Sequence, residues 1–359
     1  MKITRVGVDL AKNVFQVHAV DEHDKPVRRC QLRRSQVVEY FAKLPPCLVG
    51  MEACAGSHYW ARRLSEFGHT VKLMAPQHVK GYVQGNKNDA NDASAICEAV
   101  SRPRMRFVPV KSVEQQDIQA AHRVRSELIG QRTAKINQIR GLLGEYGIAI
   151  AQGTGAVRRQ LPDLIEDAKV PLSLSFRELL EGLRQDLVYL DARVLELDRR
   201  IDQIAKNSPI ARNLMKQNGI GPKGATALLA SIGDGHQFTN GRQVSANHGM
   251  VPAQHSSGGK HNLLGMSKRG DAYLRTVLIH GARAVVKAAA NKDDPLSRWI
   301  QSICARRNKN IAAVALANKN LRIAWSMIRY GTEYDPNYHS KQQARHQQQA
   351  AQQSQMVPA

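Results

Sequence analysis

The run ITRVGVDLAKNVFQVHAV, residues 3–20, holds two β-rich segments around a short polar turn. Ile3–Leu10 is one segment, and Asn13–Val20, with Val14, Phe15, Val17 and Ala19 as apolar members, is the other. The Ala-Lys-Asn link between them predicts a β-hairpin. Asp9 closes the apolar stretch Val6-Gly7-Val8, where a carboxylate is costly unless it is used. Outward from this hairpin, Val27–Leu32 reads as a third strand. Ser35 can cap a helix running to Leu44, which Pro45 and Pro46 stop. Cys47–Glu52 is a short apolar strand, Gly56–Phe67 a helix with Trp60 and Leu64 on one face, and Thr70–Met74 a further strand closed by Pro76. Asp89–Ser101 is a helix stopped before Pro103. A meander of three strands followed by alternating strands and helices predicts a mixed α/β domain over residues 1–110.

Val113–Tyr146 is a long helical pattern, and the region 147–171 breaks it with Gly and Pro. The apolar residues Phe176, Leu180, Leu183, Leu187, Leu190, Val194, Leu197, Ile201 and Ile204 then alternate steps of four and three. That is a heptad seam, which predicts a coiled coil within a central region 111–207. The seam suits a hairpin with the preceding helix and a dimer contact equally well. Residues 208–332 read as a mostly α-helical domain; 208–330 carry 18 Lys and Arg against four Asp and no Glu. The Gln- and Ala-rich tail, 333–359, has the composition of a disordered segment.

Most of the net charge of +22 sits in that third region. Such a balance points to a polyanionic partner, because each phosphate contact releases condensed counterions. The N-terminus does not read as a leader, since Asp9 and Lys12 interrupt its apolar run, and no stretch is long and apolar enough to span a bilayer. Five scattered cysteines without a Cys-x-x-Cys pair suggest reduced thiols in a cytoplasmic protein.

Three motifs carry chemistry. Asp9 and Glu52 end strands, while Asp89 and Asp92 open a helix three residues apart and so share a face. Strand ends and helix starts of a mixed sheet converge on one edge. Carboxylates gathered there suit a hard divalent ion such as Mg²⁺, which takes oxygen ligands and also binds phosphate. The second motif is Gly219-Ile220-Gly221-Pro222-Lys223-Gly224-Ala225, a Gly-x-Gly turn that presents backbone N–H groups at a helix start. It resembles a helix-hairpin-helix element, which grips backbone phosphate. The third is Ser256-Ser257-Gly258-Gly259-Lys260 with Ser267-Lys268-Arg269-Gly270 beyond it. It sets hydroxyls among the cations Lys260, Lys268 and Arg269, with no evident Ser/His/Asp triad.

The segments Gly7–Lys12, Met51–Ala53 and Lys87–Ala93, together with the two glycine-rich elements, resemble the DEDD-type transposases of insertion sequences over roughly residues 3–332. The resemblance implies a RuvC/RNase H-like first domain and a serine-containing second one. It implies that Asp9, Glu52, Asp89 and Asp92 bind two Mg²⁺ ions, for which Mn²⁺ can substitute, and that Ser256, with Ser257 adjacent, joins covalently to DNA. It further implies a structured non-coding guide RNA (bridge RNA) and dimers that assemble into tetramers, the serine domain of one subunit completing the metal site of another. Two other readings stay open: a hydrolytic, structure-selective endonuclease, and a non-enzymatic nucleic-acid-binding coiled-coil protein.

Overall fold

The computed structural model describes residues 2–86 and 88–337, so most of the Gln-rich tail lies outside the described residues. The chain divides into two compact units between Glu114 and Gln115.

The first unit contains β1 (Arg5–Leu10), β2 (Val14–Val20), β3 (Pro26–Arg33), α1 (Val37–Ala42), β4 (Leu48–Glu52), α2 (Ser57–Ser65), β5 (Thr70–Met74), α3 (Pro76–Val79), α4 (Asp89–Val100) and β6 (Phe107–Val108). The strands form one sheet in the order β3-β2-β1-β4-β5-β6. β1, β2 and β3 are antiparallel neighbours, β1, β4 and β5 run parallel, and β6 returns antiparallel to β5. The hairpin of residues 3–20 is present, with Leu10 opposite Phe15. β6, at two residues, is too short to show a period in the sequence.

Side chains alternate across this sheet. Val6, Val8, Val49 and Met51 face one core with Phe15, Phe41, Trp60 and Leu64. Each large apolar side chain fully buried there contributes about 1.5–3 kcal/mol. The other face meets α4 at Gly7 and Gly50. A Cβ on Gly7 would lie 2.2 Å from the Ala93 carbonyl oxygen, and one on Gly50 would lie 2.8 Å from the Val100 Cβ. These two glycines let α4 settle onto the sheet backbone. Gly7→Ala is therefore expected to cost about 1–3 kcal/mol by overpacking, read as a lower denaturant midpoint, and to displace α4 from β1.

The second unit holds α5 (Val113–Gly144), which starts at the division, α6 (Thr154–Glu166), α7 (Leu174–Asn207), α8 (Pro209–Leu214), α9 (Pro222–Ile232), α10 (Gly241–Asn247), β7 (Pro252–Gln254), β8 (Leu263–Met266), α11 (Ala272–Ala289), α12 (Pro295–Cys304) and α13 (Lys309–Tyr330). α5 and α7 lie antiparallel, as the ion pairs Arg125–Asp198, Arg132–Asp191 and Lys135–Asp186 require. Ile136, Ile139 and Leu143 of α5 and Val157 and Leu161 of α6 cover Phe176, Leu180 and Leu187 of α7. The heptad seam is thus buried within the chain, along the first of the two courses open to it.

His122 ties α5 to the helices beyond it: its Nδ1 lies 2.8 Å from the Tyr273 hydroxyl and its Nε2 lies 2.9 Å from Thr226 Oγ1. Burial, aided by the cations Arg125 and Lys223, pushes this imidazole down to about 4 and keeps it neutral. A further core joins the end of α7 to α8–α13, with Leu228, Leu274, Leu316 and Leu321 among its members. Residues 333–337 lie along this unit: the Tyr334 N–H donates to Asn213 Oδ1, and Lys216 pairs with Glu333.

Candidate active site

β1 and β4 are parallel, with Gly7 beside Gly50 and Val8 beside Met51. The two-residue period that turns Gly7 and Gly50 toward α4 turns Asp9 and Glu52 the same way. Asn88 caps α4 by accepting the Asn91 N–H at 2.8 Å, which sets Asp89 and Asp92 in its first turn. Close packing of α4 on Gly7 then brings that turn to the end of β1. Asp9, Asp89 and Asp92 each offer a carboxylate oxygen, and these atoms lie within 4.8 Å of one another.

The charges acting on Asp9 and Glu52 are other carboxylates. Burial first, then Asp89 and Asp92, raises the Asp9 carboxyl above its ordinary range. Burial first, then Asp9 and Asp92, raises that of Glu52. Half-buried Asp9, Glu52 and Asp92 crowded with exposed Asp89, with no ion pair to a cation among the described residues, fit a hard divalent ion, which would neutralise their repulsion.

A carboxyl raised in the folded state binds protons more tightly there than in the unfolded chain. Without metal, its contribution to stability therefore increases as pH falls through the raised range and is lost at neutral pH. Metal binding requires the ionised forms, so metal affinity is expected to decline on acidification beginning above the ordinary carboxylate range. Melting curves with Mg²⁺ and with chelator across pH 4–8 check both trends.

In the second unit, Ser256 lies exposed on the turn between β7 and β8. Its Oγ accepts from Gln254 Nε2 at 2.9 Å and from the Asn262 N–H at 3.3 Å. Ser257 bridges Lys260 across Gly258 and Gly259, whose φ of 54° and 77° suit glycine. Neither His255 nor His261 bonds to Ser256 among the described residues, so no triad forms there.

The basic turn is held by backbone contacts. Lys268 takes a left-handed φ of 55°, and its N–H donates to the Gly249 carbonyl at 3.1 Å. Arg275, 9% exposed, donates to the carbonyls of His248 at 3.1 Å and Arg269 at 2.9 Å. Lys268 and Arg269 stay exposed on this clamped turn.

The Gly219–Ala225 element does lead into a helix, since Gly221 caps α9. Gly219 has a further task. It takes a φ of 90°, and its carbonyl oxygen comes so close to Gly281 of α11 that a Cβ there would lie 1.9 Å away. Lys223 pairs with Asp198 at 3.0 Å.

Sequence reasoning missed Arg275 and the Ser231–His248 contact at 3.0 Å. It also missed the glycine clamp, in which a Cβ on Gly249 would lie 2.1 Å from the Arg269 carbonyl oxygen. The Gly-x-x-Lys-Arg-Gly spacing of residues 265–270 does not reveal them, because Ser231 and Gly249 meet His248 and Arg269 across 17 and 20 residues and Arg275 reaches the His248 carbonyl across 27.

Carboxylates gathered at the end of a sheet, in a chain of net charge +22, have the character of a metal-dependent enzyme acting on nucleic acid. Comparison with known proteins sharpens that class. Residues 6–148 match the family model of the DEDD transposases of the IS110 type, and residues 211–296 match that of the "Transposase IS116/IS110/IS902 family". The chain is 54% identical to a "Probable family 20 transposase" of Pseudomonas aeruginosa over 94% of its own length and 100% of that protein. It is 44% identical to the "Transposase for insertion sequence element IS1111A" of Coxiella burnetii, over 90% of this chain and 89% of that one. It is 39% identical to the "Transposase for insertion sequence element IS1328" of Yersinia enterocolitica, over 92% and 98%. The chain belongs to the IS110/IS116 family of DEDD transposases and is a DNA transposase of an insertion sequence, as the motif resemblance implied. A DEDD domain works with divalent metal. No described helix is long and apolar enough to cross a membrane.

Proposed function

We propose that this transposase is a site-specific DNA recombinase in which Asp9, Glu52, Asp89 and Asp92 hold two Mg²⁺ ions, replaceable by Mn²⁺, and Ser256 is the nucleophile. The observation that carries this reading is the approach of Asp9, Asp89 and Asp92 oxygens to within 4.8 Å on the sheet face that Glu52 shares. The strand order β3-β2-β1-β4-β5, antiparallel and then parallel, supports a RuvC/RNase H-like unit. Bound divalent ions supply charge stabilisation at the scissile phosphate and make a hydroxyl more acidic.

Ser256 stands exposed on a tight hairpin, and Lys260, Lys268 and Arg269 add positive charge for the DNA backbone. Its Oγ forms a bond to phosphorus as the bond from phosphorus to the departing strand breaks, and the serine proton leaves on that strand's hydroxyl. The hydroxyl of the incoming strand then attacks the phosphoserine, and its proton returns to Ser256. Phosphodiester bonds are conserved, so the exchange needs no net hydrolysis. Gly219, Gly221 and Lys223 supply a further backbone contact.

An aromatic content of 5% beside a charge of +22 supports leaving sequence choice to a structured guide RNA. Leu174, Val188, Tyr189 and Leu195 stay exposed on α7 away from its buried seam, which supports subunit contacts and a dimer that builds a tetramer through the long helices. In that assembly the serine hairpin of one subunit meets the carboxylates of another. The protein works in the bacterial cytoplasm, at the nucleoid.

The test is to trap protein–DNA adduct under denaturing conditions. Wild type should give an adduct that Ser256→Ala does not. Loss in Ser257→Ala alone would move the nucleophile by one residue, and free cut ends without adduct would indicate hydrolysis.

A further inference from the structure

We propose that a groove at the end of the sheet where the carboxylates also lie, between the start of β2 and α2, binds an unpaired base of the single-stranded DNA flanking the cleaved phosphate. The choice of that strand rests on the DNA-cleaving reading above, whereas the groove's chemistry stands by itself. It has a volume of about 710 Å³ and is lined by Asn13, Arg33, Arg34, Ser35, Tyr59 and Trp60, with no carboxylate among its lining residues.

Four features make it a base site. Tyr59 is 48% exposed and stands edge-on to Trp60, with ring centroids 5.1 Å apart, so it presents an open aromatic surface. Trp60 is itself locked edge-on against Phe15 at 5.1 Å, which makes the shelf rigid. The Arg34 guanidinium lies 5.1 Å over the Trp60 ring and is tied to the Lys12 carbonyl at 3.4 Å, so a planar cation faces the same space. Arg33 and Ser35 add a charge and a hydroxyl suited to phosphate. Aromatic and guanidinium planes stack bases with little regard to sequence, and the cations hold the backbone.

Arginines on an edge strand also serve to prevent strand pairing. That role accounts for Arg29 of β3; Arg28 lies 5.2 Å over the half-buried Tyr40 ring, whereas Arg34 covers Trp60 beside the exposed Tyr59. Position selects DNA as the occupant. Asn13 lies four residues beyond Asp9, and Arg33 pairs with Val14 at the same end of the sheet. α2 follows Glu52 from the same end of β4. The groove and the carboxylates thus share one end of the sheet.

The test uses the full chain in chelator, where no cleavage occurs, with a single-stranded DNA 12-mer carrying one 2-aminopurine and with the same sequence as RNA. Binding to wild type should quench the probe. Tyr59→Ala should weaken DNA binding about tenfold and abolish the quench, Tyr59→Phe should retain both, and Arg34→Met should weaken binding by a smaller factor. An unquenched probe on wild type, unchanged DNA affinity in Tyr59→Ala and Arg34→Met, or a loss confined to RNA would overturn the proposal. Since the assay excludes metal and chemistry, an adduct missing from the earlier experiment would leave this result readable.

Discussion

Asp9→Asn is expected to lower DNA strand cleavage on the order of 10³-fold or more while leaving duplex binding near the wild-type level. The substitution keeps the shape of the side chain and removes one ionised ligand from a cluster whose oxygens lie within 4.8 Å. Lewis-acid stabilisation of a phosphoryl transition state amounts to several kcal/mol, and each 1.4 kcal/mol is a tenfold change in rate. The DNA contacts proposed above, the basic residues of the second unit and the groove at Tyr59 and Arg34, do not include Asp9. The same variant should melt at a higher temperature than wild type in chelator at neutral pH, since burial and the neighbours Asp89 and Asp92 disfavour the Asp9 charge. A mere loss of folding would lower both activity and melting temperature, so paired cleavage and melting measurements distinguish the two.

Ser256→Ala is expected to abolish covalent adduct and to reduce strand exchange by at least about 10³-fold, the scale on which loss of a nucleophile is felt. Metal-dependent melting shifts should be untouched, because the residue belongs to a separate unit of the chain. Ser256 Oγ accepts only from Gln254 and Asn262 among the described residues, so removing it should scarcely alter stability. Retained adduct in Ser256→Ala with loss in Ser257→Ala would place the chemistry on the neighbour that bridges Lys260.

These expectations differ in how far the amino-acid sequence foreshadows them. Asp9 and Glu52 were legible because each ends an apolar strand, and the period of two then fixes the face they share. Asp89 and Asp92 were legible as an i, i+3 pair at a helix start. What joins the pairs was not. Gly7 and Gly50 look like ordinary strand glycines until the Ala93 carbonyl is found where a Cβ would stand.

The β7–β8 hairpin escaped notice because strands of three and four residues have no readable alternation. Its register depends on Gly249, Lys268 and Gly270, whose partners are remote in sequence. The heptad seam of α7 marked an apolar stripe but not its cover, since a stripe matches a neighbouring helix and a second subunit alike. α5 and α6 cover that seam from Phe176 to Leu187, and Val188, Tyr189 and Leu195 stay exposed on other faces of α7.

Mn²⁺ titration followed by electron paramagnetic resonance tests the central claim most directly, because it reads the carboxylate cluster without DNA, guide RNA or partner subunit. Wild type should take up the ion at the cluster, with the free-ion signal falling on addition of protein, and Asp9→Asn and Asp89→Asn should each restore most of that signal. Equal uptake by wild type and both variants would contradict a metal centre built from these acids.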